Sequence, residues 1–452
     1  MTRFDSSGPL RGPLHPPADK SISHRAALIA AMGLKGAETE IEGFLDAADT
    51  NSTLRAIERL GAKVDRDPVS RVNVGGSPRF PGRMPGGNPD PVMRVHGVGL
   101  RGARSADIDV GNAGTLLRLL PGWLAGQVGE SWTLDGDDSI RRRPVDRITA
   151  PLRQMGADLS ACEDRLPPLE VRGAPLHGIN YELPVASAQV KSCVLFAGLL
   201  AEGETTVIEG HPSRDHSERM LAAAGAEIRT ESLGEGSAVT VRPAERIEAG
   251  RIVVPADISS AAFFLLAATL VSGSDIDLLG VGVNPTRIGL LTILERMGAA
   301  IEREDEREEG GEPIADLRVR SAELHATEVG GAEVPLAIDE LPLVALAACF
   351  AEGTTTIRDA VELRRKESDR VETVTAALSA LGADVESTAD GMVVTGTGGL
   401  RGGKISSHGD HRIAMLGAVA GLASREGVEV EGMDAAAVSY PGFEADLGSL
   451  HG

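Results

Sequence analysis

The chain has 452 residues, 42% of them hydrophobic and 25% charged, and a formal net charge of −21. That length exceeds one ordinary core and predicts two domains, while the acidic balance excludes general binding to nucleic acid or anionic membranes. Aromatic residues are only 3% of the chain, which removes base stacking as a recognition mode, and the three cysteines (Cys162, Cys193, Cys349) show neither a disulfide framework nor a CxxC pair, so a reducing cytoplasm is expected.

The opening "MTRFDSSGPL" lacks the apolar core of a signal peptide. The longest apolar run, "SAAFFLLAATLV", is shorter than the roughly 20 residues that span a bilayer. The first predicted helix, "PADKSISHRAALIAAM" (Pro17 to Met32), carries Lys20 and Arg25 in its first two turns. Cations there oppose the helix dipole by roughly 0.3–1 kcal/mol each. A bound anion would offset that cost.

Five later stretches repeat the plan of the first: "NAGTLLRLLPGWLAGQVGESWTLDG", "SAQVKSCVLFAGLLAEGETTVIEG", "DISSAAFFLLAATLVSGSDIDLLG", "DELPLVALAACFAEGTTTIRDA" and "DHRIAMLGAVAGLASREGVEVEG". Each opens on a polar capping group, continues as an Ala/Leu-rich helix, turns at Gly and ends in a short alternating strand. A second, amphipathic helix closes most units: "LRAIERLGAKV", "ITAPLRQMGADL", "RMLAAAGAEI", "LTILERMGAAI" and "VTAALSALGADV". In all of these, Gly-Ala is the stop signal.

The pattern predicts six αβ units of about 70–95 residues, each too small to bury its own faces. Three units per domain satisfy the length, with the break in "RPAERIEAG" (Arg242 to Gly250). One domain is expected over 20–247, and a discontinuous second over 1–19 and 248–452, completed by the strand that precedes Lys20. The Pro/Gly-rich stretch at 75–91 is predicted as a loop insertion without readable chemistry.

Cationic residues cluster near the helix starts: Lys20, Arg25, Arg143 in "SIRRRPVDR", Lys191 in "SAQVKS", Arg214 in "PSRDHSERM", Lys366 and Arg370 in "LRRKESDR", and Arg412 in "GDHRIAM". If those termini converge on one cleft, they suit an anionic substrate, with Arg as a bidentate clamp and Lys as a compact charge or proton donor. A charge run such as "LRRKESDR" is equally a solvated face, and Arg141 and Arg142 are expected at the surface. Acid–base candidates are Asp339, Glu340 and Glu367. Asp339 also fits a plain N-cap, the role assigned to Asp257. The ten histidines show no metal-ligand spacing, so His24 and His411 are expected as supporting groups. No phosphate-binding Gly-rich motif and no G-x-S-x-G elbow occur.

"DKSISHRAAL", "GNAGTLLRLL", "RRRPVDR", "SAQVKS", "IDELPLVALAACFAEG", "RRKESDRV" and "GDHRIAM", in this order, resemble the 5-enolpyruvylshikimate-3-phosphate synthases, from about Pro17 to Phe443. The resemblance implies a two-domain α/β fold, each domain an inside-out α/β barrel of three repeated units around a central cleft. It implies transfer of the enolpyruvyl group of phosphoenolpyruvate to the 5-hydroxyl of shikimate 3-phosphate, with no metal or organic cofactor and a monomer as the working form. Carried over by motif, Lys20, Gly114, Arg143, Gln189, Arg370 and Arg412 would hold phosphoenolpyruvate. Lys20, Ser21, Arg25, Ser187, Ala188, Gln189, Arg214, Asp339 and Lys366 would hold shikimate 3-phosphate. Asp339 would be the base, and Lys20 and Glu367 the groups that move the proton at the methylene carbon.

Val438 stands where many members have Lys, a lack shared with the branch whose "SAQVKS", "RDHSERM" and "NPTRIG" patterns this chain resembles. Gly114 is Ala in some glyphosate-tolerant members of that branch, so this chain is expected to be inhibited by glyphosate. The related UDP-N-acetylglucosamine enolpyruvyl transferases place a reactive Cys where Asp138 stands here. A non-catalytic repeat scaffold would have no reason to keep Lys20, Asp339, Glu367 and Arg412 together.

Overall fold

All six Ala/Leu-rich stretches are helices in the computed structural model, which describes residues 1–67 and 92–451: Lys20–Met32, Gly114–Leu124, Ala188–Gly198, Ile258–Leu270, Leu341–Ala348 and His411–Ala423. The predicted loop at 75–91 lies outside the described residues. Four of these helices have the expected side-chain cap. Asp19 accepts from the Ile22 amide at 2.8 Å, Ser187 from Val190 at 3.5 Å, Asp257 from Ser259 at 2.9 Å and Asp410 from Arg412 at 2.9 Å. The other two start without one. Ala113 has no acceptor to offer, and Pro342, in the first turn at Leu341, brings no N–H that needs one.

These six helices are buried nearly all round, as their uniform Ala/Leu composition requires, and within each half they pack on one another. The amphipathic helices, Ala48–Arg59, Asp146–Gln154, His216–Ala223, Gly289–Met297 and Arg370–Ala380, keep one face exposed. Each is followed by Gly-Ala. Gly61, Gly156, Gly225, Gly298 and Gly382 all take positive φ, from 88° to 107°, the left-handed stop that a Cβ would disfavour.

Among the described residues a small sheet goes with each unit, five of four strands and one of three. In the second unit, Ala106–Asp109 and Ser131–Asp135 run parallel on either side of the buried helix. The hairpin Asp158–Cys162 and Leu166–Arg172 then adds antiparallel to them. Two sheets exchange their first strand. Arg11–Leu14 precedes the first buried helix yet pairs with Asp275–Gly282 of the fourth unit, and Arg251–Val253 precedes the fourth helix yet pairs with Glu38–Glu42 of the first. Thr2–Phe4 completes the sixth sheet against Val428–Glu431.

The buried apolar side chains accordingly form two clusters. One runs from Ala18 to Val254; the other joins Leu10 and Leu14 to Ala256 through Leu450. Chain passes between them at two places, Pro17–Asp19 and Pro255–Asp257. There the segments lie antiparallel, with the Asp19 amide donating to the Pro255 carbonyl and the Asp257 amide to the Pro17 carbonyl, both at 2.8 Å.

Candidate active site

The seam between the two halves gathers the charged residues that head the buried helices. Asp339 is its centre. It precedes the helix Leu341–Ala348 but bonds no backbone amide of that helix, so the capping role is excluded and the carboxylate faces the seam. Its Oδ2 lies 2.5 Å from Arg214, and its Oδ1 lies 3.0 Å from Lys366 and 3.6 Å from Arg370. Arg412 approaches to 4.0 Å and donates to the Asp339 carbonyl at 3.0 Å. Burial pushes this carboxyl up, but Lys366, Arg214, Arg412 and Arg370 outweigh burial and hold it well below the ordinary range.

Glu367 is held the same way. It accepts from Arg370 at 2.6 Å and faces Arg143, from the other half, at 3.8 Å. Burial raises it; Arg370, Arg143 and Lys366 more than reverse that, and it stays ionised. Arg370 itself is fully buried, with Asp410 on its Nε at 2.8 Å. Its Nη1 has no hydrogen-bond partner among the described residues. Glu340 lies deeper. It accepts from Ser259 and from Arg412, at 3.3 Å in the latter case, which makes it a support for Arg412.

The first half supplies the facing wall. Lys20, at the first turn of its helix, pairs with Asp49 at 2.5 Å. One turn on, Arg25 is buried and donates to Ser217 at 2.8 Å, to Ser192 at 3.0 Å and to the Ser21 carbonyl at 3.0 Å. None of these partners is charged, and burial lowers the Arg25 guanidinium to about 10. Gln189, at the start of Ala188–Gly198, accepts from Arg118 at 2.8 Å and donates to Thr115 at 3.1 Å. Ser187 is the cap of that helix and Ala188 its first residue, so both stand at its amide-rich end. A Cβ on Gly114 would lie 2.6 Å from the Arg143 guanidinium, which places that glycine directly under the cation.

The structure therefore joins Arg143, Arg214, Asp339, Lys366, Glu367, Arg370 and Arg412 in one network across the seam, with Gly114 under Arg143 and Gln189 held by Arg118 one helix turn further on. Lys191 does not join it. Its ammonium points into the first half and lies 2.7 Å from both Glu209 and Glu218, so its expected place among the cleft cations is corrected. Arg141 and Arg142 are exposed, as predicted.

Three participants were not anticipated. Asp49 holds Lys20, Asp410 holds Arg370, and Arg118 holds Gln189. Arg118 had a readable signal: it falls four residues after Gly114, on the same helix face. His24 and His411 are buried and pushed down to about 3 by burial, so both are neutral supports. Among the described residues, no group of three or more His, Cys, Asp or Glu is placed to hold a metal ion. No helix among them is long and apolar enough to cross a membrane.

Residues 4–81 and 88–447 match the family described as EPSP synthase (3-phosphoshikimate 1-carboxyvinyltransferase). The chain belongs to the EPSP synthase family. The 3-phosphoshikimate 1-carboxyvinyltransferase of Anaeromyxobacter sp. (strain Fw109-5) is 51% identical over 445 residues, 98% of this chain and 96% of that protein. A solved EPSP synthase from Acinetobacter baumannii superposes with a TM-score of 0.84 at 39% identity, covering 99% of this chain and 97% of that one. The enolpyruvyl transferase NikO from Streptomyces tendae, at 18% identity, has a TM-score of 0.75 over 99% of this chain and 96% of its own, which extends the likeness of fold alone. Like its EPSP synthase relatives, the protein is a two-domain α/β enzyme, a 3-phosphoshikimate 1-carboxyvinyltransferase.

Proposed function

We infer that the seam closes over phosphoenolpyruvate and shikimate 3-phosphate, and that the enolpyruvyl group passes there to the 5-hydroxyl with release of phosphate. One observation carries the assignment of roles: Asp339 and Glu367 sit as counter-ions among cations from both halves. In the absence of substrate those carboxylates neutralise the cluster. Two polyanionic substrates take over that task, and Asp339 is then left with fewer positive neighbours and rises toward the range where a carboxylate accepts a proton.

In this reading Arg143, Arg370, Arg412 and Lys20 hold phosphoenolpyruvate, with Gly114 and Gln189 against it. Ser21 and Arg25 take the shikimate carboxylate. Ser187, Ala188, Gln189, Arg214 and Lys366 take its ring and phosphate. Asp339 removes the hydroxyl proton as the oxygen attacks C2 of the enolpyruvyl group, while the methylene carbon takes a proton from Lys20, or from Glu367 once the substrate anions have drawn Arg143 and Arg370 away from it and it has taken up a proton. The resulting tetrahedral adduct expels phosphate and returns that proton. Water would divert the adduct, so contact between the halves serves both alignment and exclusion. We read the lobes as 20–247 and 1–19 with 248–452, the strand Arg251–Val253 reaching back to the first lobe, and the enzyme as a cytoplasmic monomer. The deciding experiment is phosphate release with shikimate 3-phosphate or UDP-N-acetylglucosamine as acceptor. Turnover with the first alone supports the assignment, and turnover with the second alone removes it.

A further inference from the structure

Two sequence patterns remain outside the chemistry just described: "NPTRIG", and the "DHSERM" that follows Arg214. They meet across the seam, on the side where the chain crosses between halves. Asn284 is buried, and its amide donates to Asp215 at 2.7 Å and to Glu312 at 3.0 Å. Its own carbonyl oxygen is fixed by the Thr286 amide and hydroxyl at 2.9 Å and 2.7 Å, which sets the direction of the donor. Glu312 also binds His216 at 2.8 Å, both side chains being almost fully buried. Three residues after Asn284, Arg287 reaches the two crossings. It contacts Asp257 at 2.9 Å and Asp19 at 3.4 Å, again out of solvent.

One four-residue turn of the second half thus grips three points. These are the caps of the first and fourth buried helices, and the residue next to Arg214. The helix that Asp19 caps carries Lys20, Ser21 and Arg25. Two antiparallel crossing segments joined by a pair of amide bonds twist easily by themselves. Buried charged hydrogen bonds do not yield easily, because loss of one partner strands the other without water. Another contact between the halves is different. There Arg147 and Glu362 pair at 3.0 Å with each side chain over a third exposed, a contact that can open into water.

We propose that the Asn284–Arg287 turn is the pin on which the two lobes pivot, and that Asn284 and Arg287 are positioning residues that hold Arg214, Lys20 and Arg25 in register with the second lobe during enolpyruvyl transfer. The proposal rests on the transfer reading above for its kinetic consequence, but not for its mechanical one. In that reading phosphoenolpyruvate is clamped by Arg370 and Arg412 of the second lobe against Lys20 and Arg143 of the first, whereas shikimate 3-phosphate rests on first-lobe groups with Lys366 as its one second-lobe cation, so a loosened pin weakens capture of phosphoenolpyruvate more.

The test compares wild type with Asn284→Ala in the full-length chain, and uses Arg287→Lys, which keeps the charge, if the first variant does not fold. KM for phosphoenolpyruvate at saturating shikimate 3-phosphate is expected to rise about tenfold, the factor that goes with losing a hydrogen bond to a charged group. The dissociation constant of shikimate 3-phosphate alone is expected to change much less, and small-angle X-ray scattering should give a larger ligand-free radius of gyration. A folded variant with unchanged KM and unchanged radius of gyration overturns the pin. So does an equal loss for both ligands at unchanged radius, the mark of a general structural defect. A wild-type chain that releases no phosphate from these substrates would remove the transfer reading instead, and the scattering comparison would still decide the pin.

Discussion

Arg214 and Asp339 lie 2.5 Å apart although 125 residues separate them, and they belong to opposite halves of the chain. An exposed pair of this kind would contribute about 0–1 kcal/mol. This one is mostly buried, and Lys366, Arg370 and Arg412 crowd the same carboxylate. Such a surplus of cations around one acid is poor design for stability alone and good design for receiving anions.

Asp339→Asn is the direct probe of that carboxylate. The amide keeps the size and loses the charge, so the cations have one counter-ion fewer and the hydroxyl of the acceptor has no base. Phosphate release is expected to fall by about 10²–10⁴-fold, the usual contribution of a positioned base. Full turnover in Asp339→Asn would leave the base role untenable.

His24 predicts an acid-sensitive fold. Its Nδ1 is 2.6 Å from the Thr53 hydroxyl, and its Nε2 is buried without a partner among the described residues, as suits a neutral ring. Burial lowers it from 6.5 to about 3. A proton therefore binds the unfolded chain first as pH falls. The stability contributed by the neutral ring is complete above about pH 6.5 and is lost progressively down to about pH 3. At pH 5 the loss from this residue is about 2 kcal/mol relative to neutral pH. Urea unfolding of His24→Gln is expected to start lower at pH 7 and to show a shallower decline between pH 7 and pH 5 than wild type. Parallel pH profiles would refute it.

Much of the architecture was legible because each unit repeats its own punctuation. The Gly-Ala stops need positive φ, the polar caps need a helix behind them, and the uniform Ala/Leu runs need burial on every side. The strand exchange was not fully legible. Arg11–Leu14 and Arg251–Val253 each look like the first strand of the helix they precede, and only tertiary pairing sends each to the other's sheet. The site divides similarly. Cations that oppose a helix dipole announced the cleft, whereas the acids that hold them, Asp49 and Asp410, look like ordinary caps and helix starts. Lys191 shows the opposite failure: a Lys one turn into a buried helix reads the same whether it faces the seam or the core.

That Lys191 now yields its own prediction. Its ammonium is bound by Glu209 and Glu218, and it also donates to the Ser213 carbonyl at 3.3 Å, beside Arg214. Burial disfavours the ammonium, but Glu218 and Glu209 more than compensate and raise it. Lys191→Met strands two buried carboxylates, and a stability loss of about 3–5 kcal/mol is expected in urea unfolding. A Lys191→Met protein as stable as wild type would show that this buried ion cluster does not support the fold.

Gly114 separates affinity from stability. Its backbone does not need a glycine φ, so Gly114→Ala meets no strain there. The added methyl would instead sit 2.6 Å from the Arg143 guanidinium and 3.6 Å from that of Arg118. Arg143 is the group that must move, and it is lightly held. Its contacts are Asn112 at 3.3 Å, Ser139 at 3.5 Å and Glu367 at 3.8 Å. Unfolding of Gly114→Ala is therefore expected within about 0.5 kcal/mol of wild type, as for a substitution that strains neither backbone nor core. KM for phosphoenolpyruvate should rise, because Arg143 is displaced from the anion it faces. Glyphosate is expected to inhibit the wild-type chain at phosphoenolpyruvate concentrations near KM and to inhibit Gly114→Ala far less. Equal inhibition of the two proteins would mean that Arg143 and the space beneath it do not form the shared pocket. A wild-type enzyme indifferent to the compound would show that this glycine does not govern its entry.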